Sequence, residues 1–217
     1  MKIIVIEWKI SHEPVNYEEA VRVMEERVHE IRLGRAQEQV WFLEHPSLYT
    51  AGTSAKKQDL IKPDELPVYK TGRGGSYTYH GPGQRIAYVM LDLTKRKHEE
   101  NIDLHKYIDS LENWLIATLK NFDIIGKKRK NRVGIWVNTP KGNEAKIAAI
   151  GIRVRRWVTF HGISINNNPN LQYFNGIIPC GIRNFGVTSL AELGINVSMD
   201  EIDQVLTKEF SYYFMNN

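Results

Sequence analysis

Arg73-Gly74-Gly75-Ser76-Tyr77-Thr78-Tyr79-His80-Gly81-Pro82-Gly83-Gln84 is the stretch from which the fold can be read outward. Four glycines and one proline in twelve positions exclude a long helix and favour tight turns. Tyr77, Thr78 and Tyr79 favour extended backbone, so a short strand is expected between two glycine corners. The apolar run Arg85-Ile86-Ala87-Tyr88-Val89-Met90-Leu91-Asp92 that follows reads as a buried strand. A loop this rich in glycine either connects strands tightly or lets a ligand reach the backbone. Arg73, His80 and Gln84 supply the polar groups that the second reading needs.

Outward from this centre, helices and strands alternate. Tyr17, Ala20, Val21, Met24, Val28 and Ile31 share one helical face over residues 16–33, and Gly34 is a natural stop. Gln39 to Glu44 reads as a strand, Ser47 to Lys57 as a surface loop, and Val68-Tyr69-Lys70 as a short strand. Leu104, Tyr107, Ile108, Leu111, Leu115 and Leu119 mark a second amphipathic helix over about 102–121. Val133 to Val137 and Lys146 to Val154 form a hairpin around Thr139-Pro140-Lys141-Gly142-Asn143, and Trp157 to Ile165 is a further strand. The following Asn166 to Asn170 reads as a turn. Ser198-Met199-Asp200-Glu201 is a capping box opening a last helix to about Phe214. The pattern predicts an α+β domain with a mixed, largely antiparallel sheet flanked by helices, a single domain over 1–217.

Composition narrows the class. An apolar fraction of 42% in 217 residues builds a substantial core, and no run of about 18 apolar residues is present to span a membrane. Met1 to Trp8 reads as a first strand, not a signal peptide, so a cytoplasmic protein without a membrane partner is expected. One cysteine excludes an internal disulfide and, unaided, a structural zinc cluster. The net charge of +4 concentrates in Lys127-Lys128-Arg129-Lys130-Asn131-Arg132 and in Arg153, Arg155 and Arg156. These runs fit either an anionic partner or a solvated surface. Nucleic acid is disfavoured, because no aromatic residues interleave with the cations.

Two residues carry possible chemistry of their own. Cys180, in Ile178-Pro179-Cys180-Gly181-Ile182, is either a packed small hydrophobe or a loop thiol. Lys146 opens the apolar run Ile147-Ala148-Ala149-Ile150, where a lysine commonly snorkels at a strand end. Held beside the thiol in a dry pocket, its charge would instead favour the thiolate that acyl transfer uses. The spacing of 34 residues does not decide whether they meet.

Five blocks in this order carry a specific resemblance: Arg73 to Gln84, Lys146 to Ile152, Thr159-Phe160-His161-Gly162, Pro179 to Ile182, and Gly186 to Leu190, with Leu43-Glu44-His45-Pro46 before them. Over residues 41–190 the chain resembles the lipoyl (octanoyl) transferases, the octanoyl-[acyl-carrier-protein]:protein N-octanoyltransferases of lipoate biosynthesis. The resemblance implies the fold of the biotin and lipoate protein ligase catalytic domains. It implies transfer of an octanoyl group from acyl carrier protein, through a cysteine thioester, to a lysine of a lipoyl domain. The acceptors implied are lipoyl domains of 2-oxoacid dehydrogenase complexes and the glycine cleavage H protein, with no cofactor and no metal. Carried over by motif, Cys180 is the nucleophile and Lys146 the proton shuttle. Arg73, Gly74, Gly75, Ser76, Tyr77, Thr78, Tyr79, His80, Ala149, Ile150, Gly151, Gly162, Ile163 and Ser164 then line the acyl site. Small residues at Gly74, Gly75, Ala148 and Ala149 leave room for an alkyl chain. The main alternative is an ATP-dependent lipoate or biotin protein ligase, which would not need Cys180. A cysteine hydrolase and a nucleic-acid binder are weaker alternatives. The basic runs suit an acidic carrier protein.

Overall fold

The computed structural model describes residues 5–96, 102–178 and 186–215. The chain begins with strand β1 (Ile6–Ile10), helix α1 (Tyr17–Arg32) and strand β2 (Glu38–Leu43). β1 and β2 run parallel, as a helical crossover requires. Asn16 starts α1, its side chain accepting from the amides of Glu18 and Glu19. Tyr17, Ala20, Met24, Val28 and Ile31 are buried on one face, the spacing read from the sequence.

β2 pairs antiparallel with β6 (Gln84–Met90), β6 with β9 (Val158–Asn166), and β9 with β8 (Glu144–Arg155). β7 (Ile135–Asn138) forms the expected hairpin with β8, and β10 (Gly186–Val187) joins β8 in parallel. The result is a mixed, mostly antiparallel sheet of seven strands. One face packs under α2 (Leu104–Lys120) and α3 (Met199–Phe214), with Trp114, Leu115, Leu206 and Phe210 in its core. The other face packs against α1 through Trp41, Ile86, Tyr88 and Phe160. α3 opens with both arms of its capping box: the Glu201 amide donates to Ser198 Oγ at 3.2 Å and the Ser198 amide to Glu201 Oε2 at 2.8 Å. No helix of the described residues is long and apolar enough to cross a membrane.

A second sheet places β3 (Leu48–Ala51) between β4 (Val68–Lys70) and β5 (Tyr77–His80). This corrects the reading of 47–57 as surface loop, because all four residues of β3 are buried. Two smaller corrections concern β9. Trp157 is not in the strand: Arg156 (φ 50°) and Trp157 (φ 68°) form a two-residue left-handed hairpin turn. Asn166 closes the strand and pairs with Gln84, so it is not part of the turn after it.

Candidate active site

The glycine loop is held by the arginine that opens it. Arg73 is buried, and its guanidinium is spent on backbone and hydroxyl oxygens. Nε and Nη2 donate to Thr50 Oγ1 at 3.2 and 2.6 Å, and Nη2 also to the carbonyls of Thr50 (2.8 Å) and Ser76 (3.0 Å). Nη1 donates to the Gly74 carbonyl at 2.9 Å. Five donors in a rigid fork suit this clamp, and lysine could not replace it. The Gly74 amide donates to the Ile152 carbonyl at 2.8 Å, docking the loop on β8. β3 must come close for this to happen. A Cβ at Gly52 would stand 2.2 Å from the Gly75 carbonyl oxygen, so only glycine fits there.

Between this loop and the main sheet lies a cavity with an apolar wall of Ile86, Ala148, Ala149, Ile150, Ile163 and Phe174. Arg73, Gly75, Ser76, Tyr77, Thr78, His80, Ala149, Ile150, Gly151, Gly162, Ile163, Ser164 and Lys146, all expected from sequence, line it. Gly74 and Tyr79 do not. Gly74 is occupied in docking the loop, and the Tyr79 ring is taken up by packing on Tyr49, Tyr173 and Phe174. Gly162 serves packing as well as space, since a Cβ there would meet the Ala87 carbonyl at 2.3 Å. Gly75 lines the cavity at φ +86°, and a Cβ there would touch Arg73 Nη1 at 3.5 Å.

Lys146 lines the cavity although only 6% of it is exposed. Its Nζ donates to the Val133 carbonyl at 2.8 Å and stands 5.1 Å from the Trp136 ring centre. Strand pairing sets Lys146 beside Val187 of β10, another lining residue. The described chain breaks at Ile178 and resumes at Gly186, and Cys180 lies outside the described residues. A second, more open space of about 500 Å³ adjoins the cavity, sharing Gly75 and Ser76 with it. Lys56, Gln58, Asn131, Arg132, Val133 and Ile178 line this groove. Lys146 in the cavity and Val133 in the groove are therefore bonded across the junction. The buried Ser76 Oγ, at the same junction, has no partner among the described residues.

Three histidines surround the cavity, all neutral. Burial pushes His80 and His161 down to about 3 and His45 to about 4. Gln84 Nε2 donates to Asn166 Oδ1 (2.8 Å), so its Oε1 accepts from His80 Nδ1 (2.6 Å). His80 Nε2 is thereby the nitrogen that carries no proton. Asn166 Nδ2 donates to the Thr188 carbonyl at 2.9 Å, and the Thr188 amide donates to the Lys146 carbonyl at 2.9 Å. One chain of bonds thus runs from the glycine loop to the strand that holds Lys146. Among the described residues His45 Nδ1 faces the Val15 carbonyl alone (2.6 Å) and must donate to it, so Nε2 accepts from the Tyr88 hydroxyl at 2.6 Å.

Tyr17, Tyr88, Asn166, His161 and Val187 also line the cavity, and the expected set had not included them. Tyr17 looked like any apolar-face residue of α1. His161 did carry a signal in the Phe160-His161-Gly162 block, and its φ of +57° within β9 marks strain at the site.

The basic run is less available than its charge suggests. Lys128 pairs with Asp109 and lies 3.8 Å from Glu112; Arg129 and Arg132 both pair with Glu144 (2.5 and 3.0 Å). Arg132 also stacks on Trp136, and Arg153 pairs with Glu25 at 3.6 Å.

The profile of the lipoyl protein ligase A/B catalytic domain matches residues 16–211. An octanoyltransferase of Paramagnetospirillum magneticum is 56% identical over 209 residues, covering 96% of this chain and 97% of that one. One of Parvibaculum lavamentivorans is 57% identical over 211 residues, covering 96% and 92%. Among solved structures, P. falciparum LipL1 in complex with lipoate superposes with TM-score 0.71 over 97% of this chain and 62% of its own, at 18% identity. Lipoate-protein ligase A bound with ATP superposes with TM-score 0.64 over 95% and 85%, at 15% identity. These two speak to the fold alone.

Proposed function

The chain belongs to the lipoyl protein ligase A/B catalytic-domain family and is an octanoyltransferase; from that premise we propose that it acts on lipoyl-domain proteins through an octanoyl thioester on Cys180, loaded from acyl carrier protein in the cytoplasm. The observation that carries this reading is the apolar cavity with buried Lys146 at its junction with an open groove. The cavity takes the alkyl chain, whose burial contributes about 5 kcal/mol at roughly 0.8 kcal/mol per methylene. The groove takes the carrier's prosthetic arm, with the exposed Lys56 as the cation for its phosphate.

In the first half-reaction the Cys180 thiol gives its proton to Lys146, and its sulfur attacks the donor carbonyl. The carrier thiol departs and takes the proton back. In the second, the amine of the acceptor lysine attacks the same carbonyl, Cys180 sulfur departs, and Lys146 receives a proton from the amine. A thioester is exchanged for a thioester and then for an amide, so no nucleotide is consumed. The family's ATP-using members would need adenylation for the same product. The decisive test is transfer from octanoyl carrier protein to a lipoyl domain in the absence of nucleotide. Octanoylated lipoyl domain supports the reading, and a strict requirement for ATP overturns it.

A further inference from the structure

The strand register measures the cavity from end to end. At the Lys146 end, Gln84 of β6 faces Asn166 of β9. Midway, Ile86 faces Ser164, which faces Ala149 of β8. At the other end Tyr88 faces Gly162, which faces Gly151. Four residues separate the first rung from the last, about 13 Å at roughly 3.3 Å per residue. An extended eight-carbon acyl chain built from bonds of about 1.5 Å is about 9 Å long. With its carbonyl at the Lys146 end, the chain's last carbon stops about one van der Waals contact short of the Tyr88 rung.

That end is closed by aromatic rings. Tyr88 and Tyr17 both line the cavity, and the Tyr17 ring packs 5.3 Å from that of His45. His45 fixes both: it accepts from the Tyr88 hydroxyl and donates to the Val15 carbonyl, two residues before Tyr17. Tyr17 is itself backed by the Tyr69 ring at 5.1 Å. A stop held from two sides by one buried imidazole cannot swing aside for a longer chain.

We propose that Tyr17 and Tyr88, clamped by His45, form the stop that sets acyl length, so that the enzyme selects chains near eight carbons and rejects longer ones. This rests on the reading of the cavity as the acyl site. Tyr17 and Tyr88 are specificity residues and His45 a positioning residue.

The test is acyl loading of the full-length protein, read by intact mass, with N-acetylcysteamine thioesters of butanoyl, hexanoyl, octanoyl, decanoyl and dodecanoyl groups. Tyr17→Ala should raise the decanoyl-to-octanoyl ratio at least ten-fold. Tyr17→Phe, which keeps the ring, should retain the wild-type profile. Ala149→Leu, at the middle rung, should raise the butanoyl-to-octanoyl ratio at least ten-fold. If Tyr17→Ala does not fold, Tyr17→Leu keeps the α1 face apolar and reads the same ratio. Loading of Tyr17→Ala, or of Tyr17→Leu in its place, with an unchanged length profile overturns the proposal. No loading of the wild type by any of these thioesters would instead overturn the acyl-enzyme reading beneath it, so the two failures are distinct.

Discussion

Arg73 Nη2 lies 2.6 Å from Thr50 Oγ1 and 2.8 Å from the Thr50 carbonyl, so the arginine of the glycine loop binds the protein's own second sheet. Its charge still acts across the cavity, helping to keep His80 and His161 neutral. The clamp is what gives the loop one conformation.

Arg73→Lys should therefore be a severe change. A lysine leaves several buried oxygens unpaired, at about 1–3 kcal/mol each. A loss of about 2–4 kcal/mol would lower the melting temperature by roughly 5–15 °C. Calorimetry of the variant checks this, and a Tm within 2 °C of wild type would contradict the clamp.

Acid should destabilise the fold between about pH 6.5 and 4. The three histidines have folded pKa values depressed to about 3, 3 and 4, against about 6.5 unfolded. Their stabilisation is complete above the unfolded value and is lost as pH falls toward the folded one. Each contributes a slope of about 1.4 kcal/mol per pH unit across that window. Asp203 works the other way: burial raises it to about 6, so its contribution is present at low pH and fades as pH rises to that value. Three histidines outweigh one carboxyl. Urea midpoints at pH 7.5, 6 and 5 should fall steadily; a midpoint that rises on acidification would refute this balance.

Much of this architecture was legible in the sequence, and what was not has physical reasons. The spacing of Tyr17, Ala20, Met24, Val28 and Ile31 and the Ser198–Glu201 box report local structure, and local structure is what periodicity records. Leu48-Tyr49-Thr50-Ala51 was missed because a four-residue strand with no alternation looks like loop until its partners at 68–70 and 77–80 are known. The pairing within the basic run was not legible because its counter-charges, Asp109, Glu112 and Glu144, lie outside the run. Tyr17 escaped because lining a cavity and filling a core demand the same apolar face.

Carrier recognition is better tested at Lys56, exposed in the groove, than within the ion-paired run. Lys56→Glu should raise KM for octanoyl carrier protein several-fold at low salt, with the difference shrinking as salt screens it. Octanoyl-N-acetylcysteamine, which has no phosphate, should be used equally well by both proteins. Equal KM values for the carrier at low salt would remove Lys56 from its path.

Replacing Lys146 tests proton transfer. Lys146→Ala should lower transfer by roughly 10²–10⁴-fold, and added methylamine should restore part of it in proportion to its concentration. Rescue is the readout that a merely structural lysine would not give. A variant that keeps more than half the wild-type rate would rule the role out.

The acyl-enzyme is the centre of the account, and intact mass of the protein after incubation with octanoyl carrier protein tests it most directly. The wild type should gain one octanoyl group that disappears when a lipoyl domain is added, and Cys180→Ser should gain no thioester and transfer nothing. An octanoyl adduct on the serine variant with undiminished transfer, or wild-type transfer without any adduct at Cys180, would contradict it.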